Sequence, residues 1–242
     1  MIKPRLEAFI FDCDGTLVNS EEPGIEVIQA LAKEAGVQIS RQEAFDRFTG
    51  LKMADIVDWV AAQLPHPVPE DFHPTFTQKV RKAQSIRFHE GLETIAGAKE
   101  LLEFIQMPMG VATNGPREKV ELTLQLTGLR AYFADHVYSA YDIGHFKPSP
   151  QLFVHVAHAL GVKPAHCAVV EDSLTGVTAG LRAQMQVFSL APPKSLPSHM
   201  HQEVIFIEDL HALKKHLIDA VDRKSTRLNS SHRSLSRMPS SA

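Results

Sequence analysis

The sequence predicts an α/β protein, a mostly parallel sheet covered by helices on both faces, with a helical segment inserted near its start. Three observations predict it. A short apolar run rich in aromatic and branched residues, Phe9-Ile10-Phe11, breaks into Asp12-Cys13-Asp14-Gly15. From there to about residue 90 the apolar residues recur only at helical spacing. From Gly91 onward short apolar runs alternate with amphipathic segments, the pattern of strands joined by helical crossovers.

The first run is too short for a helix and reads as a buried strand. Residues two apart on a strand point the same way, so Asp12 and Asp14 are expected to lean into one crevice beyond its carboxyl end. In open α/β sheets ligands bind there. Next, Ile25, Ile28, Leu31, Ala32 and Ala35 fit a helix closed by Gly36. Ala44, Phe45 and Phe48 mark a second helix that breaks at Thr49-Gly50, and Met53 to Leu64 carry a third. A Pro-rich loop is expected over Leu64–Pro74, followed by a fourth helix on Phe76, Val80, Ala83 and Ile86.

In the second half, strands are expected at Met109–Thr113, Val137–Ala140, Cys167–Val170, Val187–Leu190 and Val204–Ile207. Helices are expected at Arg117–Thr127, Pro150–Leu160, Thr175–Ala183 and Leu210–Val221. Pro116, Ser149-Pro150 and Ser173 mark helix starts. The chain thus divides into a core of residues 1–18 and 91–222, a cap of residues 19–90 and a tail of residues 223–242.

The net charge of −3 conceals an asymmetry, because residues 223–242 hold five Lys/Arg, seven Ser and no Asp or Glu. Without them 20 basic residues face 28 acidic ones, a charge of −8. The tail has no periodic apolar face on which to order, and it resembles translated adaptor or vector sequence. An acidic body lacks the basic footprint of a nucleic-acid binder. No apolar run approaches the ~20 residues that span a bilayer, and Met1-Ile2-Lys3-Pro4-Arg5 opens no signal peptide. A cytoplasmic protein is expected, acting as a monomer on a small molecule. Cys13 and Cys167 lie in apolar stretches and are expected to be buried thiols. The carboxylates beside Cys13 raise its pKa and make it a poor nucleophile.

Four groups of polar residues fall at the carboxyl ends of predicted strands. They are Asp12 with Asp14, Thr113 with Asn114, Lys147 before Pro148, and Glu171 with Asp172. Singly, each has an ordinary reading as a turn, a surface lysine or a helix cap. Together they would converge on one rim of one sheet. Four carboxylates there repel one another unless cations offset them, and all-oxygen ligands suit Mg²⁺. Lys147 supplies a fixed cation, while Thr113 and Asn114, ahead of a helix N-terminus, suit phosphate oxygens. These are the parts that phosphoryl transfer uses.

The ordered set Asp12-Cys13-Asp14-Gly15-Thr16, Thr113, Lys147 and Glu171-Asp172 resembles the haloacid dehalogenase superfamily, in the branch with an inserted α-helical cap on a Rossmann-like core. The resemblance covers about residues 5–220. It implies a phosphatase in which Asp12 is the nucleophile that forms an aspartyl-phosphate, and Asp14 is the general acid and base. It implies Mg²⁺ held by Asp12, the Asp14 carbonyl and Asp172, with Glu171 close by. Thr113, Asn114 and Lys147 would hold the phosphoryl group. Asn19-Ser20 replaces the Asp-Ser common in the family. Phe48, Gly50 and Lys52, with Asn114-Gly115-Pro116 and Tyr141-Asp142-Ile143, further resemble bacterial sugar-phosphate phosphatases, which implies 6-phosphogluconate as the substrate. Lys52 is then the cap residue expected to touch it. A sugar-phosphate mutase and a catalytically silent binding module are the alternatives. A dehalogenase is disfavoured because Asp14 is retained.

Overall fold

The first apolar run becomes the centre of the sheet. In the computed structural model, which describes residues 5–65 and 67–220, β1 (Ala8–Phe11) is flanked by β2 (Met109–Thr113) and β4 (Cys167–Glu171). With β3 (Val137–Ser139), β5 (Gln186–Ser189) and β6 (Val204–Phe206) the order is β3-β2-β1-β4-β5-β6, every pairing parallel. The chain builds one side of β1 and then crosses to the other, so the order reverses between β1 and β4. Loops leaving a sheet at such a point diverge and leave a crevice. Phe11 lies opposite both Val111 and Val170, which brings the ends of the three central strands nearly level.

Strand alternation sorts the core into two layers. Phe9, Phe11, Val111, Val170 and Phe188 face one side, against α5 (Ala98–Phe104), α6 (Arg117–Leu126) and a last helix, α10, over residues 210–220. Ala8, Ile10, Ala112, Val169 and Val187 face the other, against α8 (Gln151–Ala159) and α9 (Leu174–Arg182). Between α6 and α8 a single-turn helix, α7 (Ala140–Ile143), follows β3.

Helices α1 (Glu21–Glu34), α2 (Arg41–Phe48), α3 (Met53–Ala62) and α4 (Phe72–His89) fold around an apolar cluster of their own, including Ile25, Ile28, Phe48, Ile56, Val60, Phe76 and Val80. Ser40 caps α2 by accepting the Glu43 N–H at 3.1 Å. The structure departs from the sequence reading at several places, one of them Ala140, expected to end β3 and found at the start of α7. Helix α4 starts at Phe72, ahead of Pro74, because a proline in the first turn removes no intrahelical bond. Ile86, expected on its packing face, is exposed, and Gln84 is buried instead with its amide donating to the Gly24 carbonyl. Helix α5, which the sequence reading leaves unassigned, carries Ala98, Leu101 and Leu102 on one face over barely two turns.

The expectations for residues 221–242, the tail included, lie outside the described residues. Among the described residues, no helix is long and apolar enough to cross a membrane.

Candidate active site

Strand β1 stops at Phe11, and the Asp12 N–H still donates to the Val170 carbonyl at 3.0 Å. The chain then turns on itself: the Gly15 N–H donates to the Val18 carbonyl, and those of Leu17 and Val18 to Cys13. Asp12 and Asp14 are therefore oriented by a turn rather than by a strand's pleat, and they meet different partners. Asp12 is 8% exposed and accepts from Lys147 Nζ at 2.5 Å. Asp14 Oδ1 accepts from Lys119 Nζ at 2.8 Å and from the Ser20 hydroxyl. Ser20 stands where its hydroxyl would cap α1, and that hydroxyl is given to Asp14 instead.

Lys147 is buried between two carboxylates, with Asp12 Oδ1 and Glu171 Oε1 both 2.5 Å from Nζ. Its loop is fixed from β2. The Asn114 side chain accepts the Lys147 N–H at 2.9 Å and donates to the Lys147 carbonyl at 3.3 Å. The amide expected from sequence to face a ligand is thus spent on the main chain of the lysine. Thr113 is buried, and its hydroxyl oxygen accepts the Gly115 N–H at 2.9 Å, so the hydroxyl hydrogen is available to an acceptor. Ser139 at the end of β3 steadies this loop by donating to the Gly115 carbonyl at 2.6 Å.

Glu171 is fully buried. Its second oxygen accepts the N–H and hydroxyl of Ser173 at 3.2 and 2.9 Å, and the same hydroxyl caps α9 by accepting the Gly176 N–H. A Cβ on Gly176 would stand 1.8 Å from the Glu171 carboxyl carbon. Gly176→Ala is accordingly expected to lower stability by about 1–3 kcal/mol or more, since the carboxylate is tied on both oxygens and cannot retreat. A denaturant midpoint matching wild type would contradict this packing. Asp172 accepts from the Thr16 hydroxyl at 2.9 Å and lies against Gly15, where a Cβ would come within 2.2 Å of its Oδ2. Gly15 also has φ 79°, a left-handed conformation that costs glycine little.

Four carboxylates (Asp12, Asp14, Glu171, Asp172) thus share the rim with Lys147 and Lys119, and the electrostatics register the excess. Burial, then Glu171, Asp172 and Asp14, pushes Asp12 well above the usual carboxylate range despite Lys147. Burial, Glu171 and Glu21 push Asp172 up to about 8. Burial would also raise Asp14, but Lys119 and Ser20 outweigh it and hold Asp14 low. For Lys147, burial favours the neutral amine, yet Asp12 and Glu171 more than reverse that and keep it charged. Burial and then the two aspartates push the Cys13 thiol up, so it stays protonated.

Negative charge beyond what two lysines offset, all on oxygen, fits a hard divalent cation. Among the described residues no three Asp, Glu, His or Cys side chains are arranged to hold a metal by themselves. Such an ion would have to complete its shell with main-chain, water or ligand oxygens, as Mg²⁺ commonly does.

Lys52 is not brought into this cluster. It is exposed at the start of α3, with Nζ 5.7 Å from the ring centre of Phe146. Sequence reasoning does not single out Lys119 or Glu21, and it names Thr16 and Ser20 without a role. One signal existed: a lysine in the first turn of a helix opposes the helix dipole and needs a local partner. Two open depressions lie on helices α2–α4, one around Arg47 and Trp59, the other around His73 and Arg81. Neither contains a member of the carboxylate cluster.

Residues 6–184 match the model of the haloacid dehalogenase-like hydrolases. The chain is 38% identical over 195 residues to the 6-phosphogluconate phosphatase of Escherichia coli (strain K12), covering 80% of this chain and 86% of that protein. A crystal structure of a conserved haloacid dehalogenase-like protein of unknown function from Agrobacterium tumefaciens str. C58 superposes with a TM-score of 0.72. It has 30% identity and covers 89% of this chain and 99% of that one. A putative beta-phosphoglucomutase from Thermotoga maritima shares the fold, at TM-score 0.71 and 24% identity, with 87% and 99% covered.

Proposed function

The chain belongs to the haloacid dehalogenase-like hydrolases, and on that premise we propose that it is a Mg²⁺-dependent phosphatase of sugar or sugar-acid phosphates, with 6-phosphogluconate as its preferred substrate. One observation carries the reading: Asp12 follows the end of the central strand with a buried lysine fixed on one oxygen, and the buried Thr113 ends the adjacent strand β2.

Asp12 attacks phosphorus through its other oxygen as the bond to the leaving oxygen breaks, giving an aspartyl-phosphate. Asp14, ionised beside Lys119 at rest, first takes a proton from solvent, then gives it to that leaving oxygen, and the alcohol departs. Asp14 then takes a proton from water as the water attacks phosphorus, which releases inorganic phosphate and restores the Asp12 carboxylate. Thr113 donates to a phosphoryl oxygen, and Lys147 keeps one of its three donors for another. Asn114 serves this step by holding Lys147, and Glu171 by tying Lys147 to α9. Mg²⁺ held by Asp12, Asp172 and the Asp14 carbonyl, with Glu171 close by, would offset the charge of the cluster and of the phosphoryl group.

We assign residues 19–90, the segment of α1–α4, to a cap that closes over a core formed by residues 1–18 and 91–222. Closure would exclude water during the first step. Lys52 of that segment lies with Nζ 5.7 Å from the ring centre of Phe146, the residue before Lys147, a contact that supports this assignment.

Incubated with 6-phosphogluconate, the protein is expected to release inorganic phosphate. EDTA should stop the reaction and added Mg²⁺ restore it, whereas Ca²⁺ should not, because its longer and looser coordination misplaces the reacting groups. Full turnover after exhaustive chelation would sink the metal-dependent reading. An isomerised phosphosugar without free phosphate would make the protein a mutase.

A further inference from the structure

Lys119 is the second cation of the crevice, and the steps above give it no task. It is the third residue of α6, where the positive end of the helix dipole disfavours a cation. Asp14 compensates, with Oδ1 2.8 Å from the ammonium. Both side chains lie across Gly115, where a Cβ would stand 3.3 Å from Asp14 Oδ2 and 3.9 Å from Lys119 Cδ. Exposure separates the two lysines: the Lys147 side chain is 2% accessible and sealed between carboxylates, that of Lys119 is 27% accessible. Glu21 stands on the other side, its field felt by Asp14 and Lys119 alike, with its carboxylate accepting the Gly50 N–H of the α2–α3 loop at 3.3 Å. Lys119 is therefore held between the acid of the reaction and the helices above it.

An acid that protonates the leaving oxygen must hydrogen-bond it, at about 2.6–3.2 Å. A cation on the same carboxylate then lies within about two hydrogen-bond lengths, roughly 6 Å, of that oxygen. This is the distance of substituents on the first or second carbon beyond the ester carbon. We propose that Lys119 binds the leaving group, taking a hydroxyl or carboxylate oxygen there, and so selects phosphates of polyols and sugar acids over aryl phosphates. The proposal rests on the phosphatase reading for its account of Asp14. It moves the charged contact from Lys52, which stands on Phe146, to a residue on the core side of the crevice.

The test uses the Asp12→Asn protein, in which ligands bind without turnover. Dissociation constants are measured by calorimetry, with Mg²⁺ present, for 6-phosphogluconate and phenyl phosphate, before and after adding Lys119→Met. Loss of a charge-assisted hydrogen bond corresponds to roughly 10- to 150-fold. The preference for 6-phosphogluconate over phenyl phosphate should fall by about that factor, and Lys119→Arg should retain most of it. Lys119→Gln serves if the Met variant does not fold. In the active protein, kcat/KM for 6-phosphogluconate relative to p-nitrophenyl phosphate should fall in parallel. Equal weakening of both ligands, or no change in either, would overturn the proposal. If the active protein released phosphate from neither ester, the phosphatase reading would fail. The binding ratio would still decide whether Lys119 recognises the polyol.

Discussion

Asp12→Asn is expected to abolish phosphate release while leaving the fold unchanged. The amide keeps the size and shape of the carboxylate, and its oxygen can still accept from Lys147, but it has no charged oxygen with which to attack phosphorus. Loss of a nucleophile costs on the order of 10⁴-fold or more in kcat. Stability should be equal or higher. Asp12 is forced well above the usual carboxylate range by burial and by three neighbouring carboxylates, so its charge is costly in the folded protein. The pair of results is the diagnostic: near-complete loss of turnover together with an unchanged or raised melting temperature. Turnover within a few-fold of wild type would remove Asp12 from the chemistry.

Lys147→Met should cost both properties at once. The ammonium bonds one oxygen of Asp12 and one oxygen of the fully buried Glu171. Taking one partner from a buried ionic cluster typically costs about 3–5 kcal/mol, because the remaining charges are left in a medium that solvates them poorly. The variant should therefore unfold at markedly lower denaturant concentration and release no phosphate. Adding Asp12→Asn and Glu171→Gln to it should recover most of the stability and none of the activity. A single Lys147→Met variant as stable as wild type would show that the cluster is better hydrated than its burial indicates.

The parallel sheet was legible because its signals are local. Phe9-Ile10-Phe11 and Cys167 to Val170 are unbroken apolar runs, and the helices between strands carry caps and spacing that can be counted. What failed was short or depended on distant parts of the chain. Helix α5 presents one apolar face over seven residues, and Pro74 looked like a loop residue until the helix was seen to begin before it. The site divides in the same way. Residue types at strand ends pointed to Asp12, Asp14, Thr113, Asn114, Lys147, Glu171 and Asp172, and the structure gathers these at one rim. Their pairings were not legible. Lys147 reaches Asp12 across 135 positions and Thr16 reaches Asp172 across 156, separations over which sequence pattern carries no register. Lys119 was overlooked because a lysine inside a helix is ordinarily solvated, and Asn114 was assigned to a ligand because nothing local reveals that its amide faces another loop.

The two hydrogen bonds from the Asn114 side chain to the main chain of Lys147 have a mechanical consequence. They make the turn after β2 and the segment before α8 one stiff piece, although 33 positions of chain separate them. If α1–α4 close and open as the proposed cap, they would admit and discharge molecules without dragging the ammonium group along. Access and alignment would then be separate degrees of freedom, the first free to vary while the second stays fixed by the two hydrogen bonds.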